Sequence, residues 1–115
     1  KINKEFIGEW DWEKNTPGNS FFIRIVDNKK TMAGTYDRIQ NNARKVDAPF
    51  EDEASFQFSF PETNFISTEF LHYASRTKGK IRLTVEGGKL IWEILEKPSF
   101  GDFPLPDHAL LKRRK

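Results

Sequence analysis

Gly8-Glu9-Trp10-Asp11-Trp12 is the stretch that decides the fold, because large aromatic and acidic side chains alternate along it. A period of two places Trp10 and Trp12 on one face of an extended strand, and the acids Glu9 and Asp11 on the other. Two indole rings on one face are expected to fill a core, and a glycine on that face admits a closely approaching neighbour. The stretch therefore predicts a half-buried β-strand with its tryptophans inside.

The same alternation recurs along most of the chain. Phenylalanine alternates with serine and glutamine in 55–60, and aliphatic residues alternate with polar ones in 81–86. Turn-forming residues separate such runs, and Gly87-Gly88 supplies the positive φ angles of a tight hairpin turn within 80–96. The patterns predict eight strands, at residues 6–13, 20–26, 31–40, 54–60, 65–73, 80–86, 89–96 and 108–113. We expect one all-β domain, 1–115, built as an antiparallel meander and closed into a barrel, with a two-sheet sandwich as the alternative.

Composition excludes several classes of function. The 19 basic and 17 acidic residues are interspersed and leave a net charge of +2, so nucleic acid is not an expected partner. The chain has no cysteine, which rules out disulfides and thiolate metal sites. Its apolar runs are far shorter than the roughly 20 residues that span a bilayer, so no transmembrane segment is expected.

Catalytic motifs are not visible. His72 and His108 belong to no metal-binding array, and no serine sits in a Gly-x-Ser-x-Gly elbow. An enzyme would need one of these histidines within hydrogen-bonding reach of a carboxylate in a polar pocket. We therefore expect neither catalysis nor a cofactor.

Two acidic groups are expected to be solvated rather than functional. Glu9, Asp11 and Glu13 share the outer face of the first strand, where Arg24 or Arg38 could pair with them across strands. The group Asp47, Glu51, Asp52 and Glu53 offers oxygen ligands for calcium, but its spacing matches no EF-hand loop. No metal site is predicted.

Two long connections break the pattern of short turns. The first, 41–53, carries the basic pair Arg44 and Lys45 and is predicted to hold a short helix or a functional loop. The second, 97–107, places Phe100, Phe103 and Leu105 among three prolines. These apolar side chains either cover the end of the barrel as a lid or act as preorganised anchors for a partner.

The Gly8-x-Trp10 strand, followed by Gly34-Thr35-Tyr36 on the third strand, resembles the calycin group of lipocalins, avidins and small bacterial protease inhibitors. The resemblance implies an eight-stranded barrel in which Arg113, near the C-terminus, packs against Trp10. Small barrels of this type include inhibitors of secreted hydrolases, which is the function that the resemblance implies.

We expect a non-enzymatic, exported protein that binds another protein, as a hydrolase inhibitor or immunity-type factor, through loops 41–53 and 97–107. Because the first residue is Lys1 and not methionine, we expect that either a signal peptide was removed or the chain was trimmed. A periplasmic or secreted location is favoured over the cytoplasm. The alternative function is a carrier of a small hydrophobic ligand, lined by Trp10, Trp12, Tyr36 and Trp92.

Overall fold

The computed structural model describes residues 1–114, which form strands, turns and loops without a helix. The all-β class is therefore confirmed for this part of the chain. The strands are β1 (Gly8–Trp12), β2 (Ser20–Asp27), β3 (Met32–Gln40), β4 (Lys45–Asp47), β5 (Phe56–Phe58), β6 (Phe65–Leu71), β7 (Lys78–Glu86), β8 (Lys89–Glu96) and β9 (His108–Arg113).

All described strands belong to one antiparallel sheet, in the order β4-β3-β2-β1-β9-β8-β7-β6, with β5 also beside β3. The first and last strands pair, with Trp10 opposite Arg113 and Trp12 opposite Leu111. Strands β4 and β5 share one edge of β3, since β4 pairs near its end and β5 pairs near its start. Strand β6 has a single ladder partner, β7, so the sheet is an open half-barrel whose opening lies between β5 and β6.

The predicted hairpin at 80–96 is confirmed, with φ of 60° at Gly87 and 79° at Gly88 between paired strands. Of the two alternatives considered for 41–53, a short helix or a functional loop, the helix is not formed. Residues 41–43 form a turn with positive φ angles, and the alternating residues 45–47 then add a short strand to β3. Three residues suffice there because β3 already offers a free edge.

Aromatic side chains fill the inside of the half-barrel. Phe21 is central, since its ring centroid lies 5.1 Å from that of Trp92 and 6.1 Å from that of Tyr36. Trp10 and Trp92 are buried, and each indole N–H donates to a main-chain carbonyl, that of Phe6 or Pro106. Buried rings with satisfied N–H groups make a rigid core.

Trp10 and Arg113 join the two ends of the chain. The guanidinium carbon lies 4.3 Å from the centroid of the Trp10 ring, a cation–π distance, which confirms that Arg113 packs against Trp10. The same guanidinium donates to the carbonyls of Glu5 and Ile7 at 2.6 and 2.8 Å. Gly8 makes room for it, because a Cβ there would lie 2.5 Å from Nη1 of Arg113.

The two ends of the half-barrel differ in their connections. At one end, which we call the loop end, lie 13–19, 41–44, 72–77 and 97–107, and 48–55 runs from this end along the edge of β3, between the stretches that pair with β4 and β5. At the other, the hairpin end, lie the short connections 28–31, 59–64 and 87–88. Both loops that the sequence singled out are therefore on the same end of the sheet.

Candidate functional site

The loop end brings the two predicted loops into contact. Lys45 Nζ donates to the carbonyl of Asp102 at 3.1 Å, which ties the first loop to the second. On the other side, the N–H of Ala43 donates to the carbonyl of Gly18 at 3.3 Å. Connections far apart in sequence therefore form one surface.

Beneath this surface lies a buried polar cluster of Tyr36, Asp47 and His72, which we call the Asp47 cluster. The Tyr36 hydroxyl donates to Asp47 Oδ2 at 2.6 Å, and His72 Nε2 lies 3.1 Å from the same oxygen. The other carboxylate oxygen accepts from the N–H of Ala74 at 2.8 Å. His72 Nε2 also lies 2.7 Å from the carbonyl of Phe103, so the cluster links β3, β4, the 72–77 turn and the 97–107 loop.

Burial and hydrogen bonding shift the pKa values of Tyr36 and His72. Desolvation, followed by the bond to Asp47, raises the pKa of Tyr36 far above its usual range, so this hydroxyl stays protonated and acts as a donor. Burial lowers the pKa of His72, but the bonds to Asp47 and to the Phe103 carbonyl outweigh it and raise the pKa overall. The carboxylate therefore holds a donor on each side.

The cluster continues to Ser75 in the order of a Ser–His–Asp triad. Ser75 Oγ lies 2.8 Å from His72 Nδ1, while Nε2 faces Asp47. The Ser75 hydroxyl is also bonded to Thr77, through Oγ1 at 2.7 Å and the N–H at 3.2 Å. The N–H of Ser75 itself donates to Nδ1 at 3.2 Å. These contacts within one turn are those of side chains that fix a loop, and a nucleophile would need its oxygen free to reach a substrate.

The proline-rich loop lies over the core as a lid. Leu105 is buried, and Phe100 packs on the core with its ring centroid 5.4 Å from the His72 ring. Phe103 is half-buried, and its carbonyl is bonded to His72. Of the two roles considered for this loop, the arrangement is that of the lid.

The 41–53 loop instead carries exposed apolar side chains. Phe50 is 77% exposed and Val46 is 54% exposed. Arg44 is exposed and Lys45 is half-buried beside them. This loop therefore presents apolar groups outward together with the basic Arg44 and the acids Glu51 and Asp52.

A groove of about 490 Å³ separates the 48–55 loop from the outer face of β1–β3. Phe22 and Val26 supply apolar surface to its floor, and Pro49 forms part of its wall. Arg114 stacks on Phe22, with its guanidinium carbon 4.0 Å from the ring centroid. Burial raises the pKa of Asp37 in this groove, and the nearby Arg114 partly offsets that effect.

Most of the residues expected to line a ligand cavity lie in the packed core. Trp10, Tyr36 and Trp92 are buried there among other side chains. Trp12 is half-buried at the edge of the core, and its other side faces a depression of about 190 Å³. The larger grooves are lined by other residues of the described chain.

The two acidic groups are dispersed. Arg24 lies opposite Glu9 as predicted, while Asp11 and Glu13 form ion pairs with Arg114 and Lys89. The other arginine considered as a partner, Arg38, does not join this row. It shares the inward parity of Tyr36 on β3, is 7% exposed, and lies 5.3 Å from the centroid of the Trp12 ring.

In the second group, Asp47 is buried in its cluster, whereas Glu51 and Asp52 are exposed. Glu53 forms a bidentate pair with Arg76 at 2.7 and 2.8 Å. Within residues 1–114, no three His, Asp or Glu side chains are grouped as a metal site would require.

Sequence reasoning missed the Asp47 cluster. The parity of β6 was the available signal, because His72 follows Phe70 by two residues and therefore points inward. No local signal marked Asp47 as its partner, since the two residues meet only through the pairing of β4 with β3. Phe50 was also missed, because exposure of a loop residue depends on how the loop folds.

Comparison of the chain with known protein families, with curated proteins and with solved structures finds no match. Among residues 1–114, no helix has the length and apolar character needed to cross a membrane.

Proposed function

We propose that this chain is a non-enzymatic, exported module that binds another protein through its loop end, as a hydrolase inhibitor or immunity-type factor. The observation that carries the proposal is Phe50, an aromatic side chain that is 77% exposed on a loop anchored by a buried cluster. Large aromatic residues held in place before binding are typical anchors of protein interfaces.

The anchoring is strong on both sides of this loop. Before Phe50, Asp47 is held by Tyr36, His72 and Ala74. After it, the Glu53 carbonyl accepts from the Tyr73 hydroxyl at 2.6 Å. A loop fixed at both ends loses less conformational entropy on binding than a free one.

The chemistry of the surface supports a protein partner. Phe50 and Val46 supply apolar contact, Arg44 supplies positive charge near Val46, and the exposed Glu51 and Asp52 supply negative charge next to Phe50. A partner with an apolar pocket bordered by charged groups of both signs would complement this surface.

The competing functions are less well supported. A small-ligand carrier requires a void among Trp10, Tyr36 and Trp92, whose side chains pack in the core. Catalysis would require His72 and its carboxylate partner to face a polar pocket, whereas His72 and Asp47 are buried. The Ser75 oxygen is in addition bonded to Thr77 within its own turn.

We also propose that the half-barrel is of the calycin type. The pairing of β1 with β9 and the stacking of Arg113 on Trp10 support this assignment. A closed lipocalin-like barrel would require β5 and β6 to pair along their length. Ser55 and Leu71 already join these strands at the loop end, where the N–H of Leu71 donates to the Ser55 carbonyl at 2.7 Å.

The test is affinity capture from a periplasmic or extracellular fraction, followed by identification of the captured protein and an inhibition assay if it is a hydrolase. Phe50→Ser and Arg44→Glu should each weaken binding of that protein about tenfold or more. Ile2→Ser is the matched control, because Ile2 is 44% exposed but lies outside the loop end. Equal binding by wild type and both loop variants would overturn the assignment of the surface.

A further inference from the structure

The opening between β5 and β6 is a second candidate binding site, apart from the loop end. Leu71 and Ser55 join the two strands at the loop end through the bond described above and a second one, from Ser55 Oγ to the Leu71 carbonyl at 2.7 Å. Further along, Thr68 Oγ1 donates to the carbonyl of Gln57 at 2.9 Å, so a side chain bridges the strands. No ladder connects the strands beyond this point in the described chain.

The register of β6 shows which main-chain groups face the opening. The N–H of Val85 donates to the carbonyl of Asn64, so even-numbered residues of this strand bond to β7. In an antiparallel strand the alternate residues then point to the other edge. The N–H groups of Phe65, Ser67 and Glu69 therefore face the opening, as that of Leu71 does where it meets Ser55. Of the carbonyls on this edge, that of Phe65 accepts from Thr63 Oγ1 at 2.7 Å.

The opening widens into a groove at the hairpin end. This groove has a volume of about 680 Å³ and is lined by Thr31, 57–59 and 65–68. Its inner wall is apolar, with Phe58 buried and Ile66 half-buried, and its outer rim carries the exposed residues Ser59 and Ser67. Phe65 is 51% exposed at the mouth.

Strand β6 also lacks the usual protection of a sheet edge. Natural edges carry lysine, proline or a bulge that prevents another chain from pairing. The sequence of β6, Phe65-Ile-Ser-Thr-Glu-Phe-Leu71, contains neither lysine nor proline. Its single charge, Glu69, lies near the closed end of the opening.

We propose that the edge of β6 at residues 65–69 binds an extended segment of another protein, which adds as a strand and completes the wall of the barrel. Exposed main-chain donors and acceptors in a row are recognised by another main chain. The alternation of apolar inner and polar outer walls selects a segment of four or five residues in which apolar and small polar side chains alternate.

A second copy of the chain fits this edge less well. The free stretch is short and is flanked by β5 and by the 59–64 turn, so pairing of two copies there would bury far less than the roughly 1,000 Å² of a stable interface. A peptide segment enters the groove and contacts both its walls. This site is separate from the loop end, and its test does not depend on Phe50.

The probe is a synthetic, labelled peptide that carries the sequence Ser-Phe-Gln-Phe-Ser-Phe, copied from 55–60, between terminal lysines. Its side chains have the alternation that the groove selects. The matched control is the same peptide with alternate amides N-methylated, which removes main-chain donors and leaves the side chains unchanged. We expect the control to bind at least about tenfold more weakly.

The Ser67→Pro variant tests whether the main-chain N–H of Ser67 contributes to peptide binding. Proline removes the Ser67 N–H, which faces the opening rather than β7, so the strand tolerates it as edge strands do. Peptide binding should fall about tenfold or more, while Ser67→Ala, which keeps the N–H, should bind as wild type. Thermal unfolding checks that both variants fold, and if Ser67→Pro does not, the pair of peptides on the wild-type protein decides.

Amide hydrogen exchange shows where the peptide binds on the protein. Bound peptide should slow exchange at Ser67 and Glu69, with little change at Ile66 and Thr68, which already bond to β7. Equal binding of the N-methylated peptide, or no binding at millimolar concentration, would overturn the proposal. Protection of Ser67 and Glu69 that grows with protein concentration alone would assign the edge to a second copy and overturn the choice of partner.

Discussion

Removal of one hydroxyl, in Tyr36→Phe, should destabilise the protein more than any other change of a single polar atom at the loop end. The hydroxyl donates to Asp47 Oδ2 at 2.6 Å and accepts from the N–H of Tyr73 at 3.0 Å. Phenylalanine fills the same volume, so packing is unchanged. The buried carboxylate loses a donor, and a buried main-chain N–H loses its acceptor.

Each orphaned group costs about 1–3 kcal/mol, with bonds to a charged group at the upper end. We therefore expect the free energy of unfolding to fall by about 3 kcal/mol, which lowers the midpoint of thermal unfolding by about 12 °C for a chain of this size. Tyr73→Phe is the matched control. It removes one bond, to the partly accessible Glu53 carbonyl, and should cost about 1 kcal/mol or about 4 °C.

Urea unfolding followed by tryptophan fluorescence measures both variants, because Trp10 and Trp92 are buried in the core. The slope of the transition should stay that of wild type, which shows that the same surface is exposed on unfolding. A Tyr36→Phe variant that loses no more stability than Tyr73→Phe would refute the reasoning. It would mean that water replaces the lost hydroxyl.

Three further outcomes are expected. Gly8→Ala should lower the free energy of unfolding by about 1–3 kcal/mol in a urea titration, because the alanine Cβ displaces the Arg113 guanidinium and the backbone φ at this position is +149°. A decrease of less than about 0.5 kcal/mol would contradict this prediction. The pKa of His72 is raised in the folded protein, and this shift adds stability that is complete below the ordinary pKa of 6.5 and is lost as pH rises through the raised value. The difference in unfolding free energy between wild type and His72→Asn should therefore shrink from about pH 5 to about pH 9. A difference that grew over this range would reverse the assigned sign. A fluorophosphonate reagent should leave Ser75 unmodified in intact-mass measurements, and covalent labelling at Ser75 would revive the hypothesis of an enzyme.

Much of the fold was predictable because its signals are local. The alternation in 81–86 and the glycines at 87–88 predict a hairpin from neighbouring residues alone, and the structure contains it. The inward parity of Trp10 followed from the same rule. Strand ends were less accurate, as at 54–60, where only Phe56–Phe58 form a strand, because pairing partners decide where a strand stops.

The candidate site was predictable only in part. Two long loops stood out by length and composition, and they do meet at one end of the sheet. Which of their side chains face outward was not predictable. Phe100 and Leu105 look as apolar in sequence as Phe50 does, yet the first two pack on the core and the third is 77% exposed.

By itself, then, the sequence determined the β class, the inward face of each main strand and the Gly87-Gly88 turn, since side-chain alternation and backbone freedom act over a few residues. Tertiary structure alone decided that Asp47 meets His72 and that β6 keeps a free edge. Both depend on how β4 and β5 share the edge of β3, and pairing between strands distant in the chain is set by the balance of the whole sheet. The Gly8-x-Trp10 strand depends on both sequence and tertiary structure. Its residues predict the buried indole, and only the folded chain brings Arg113 onto that indole.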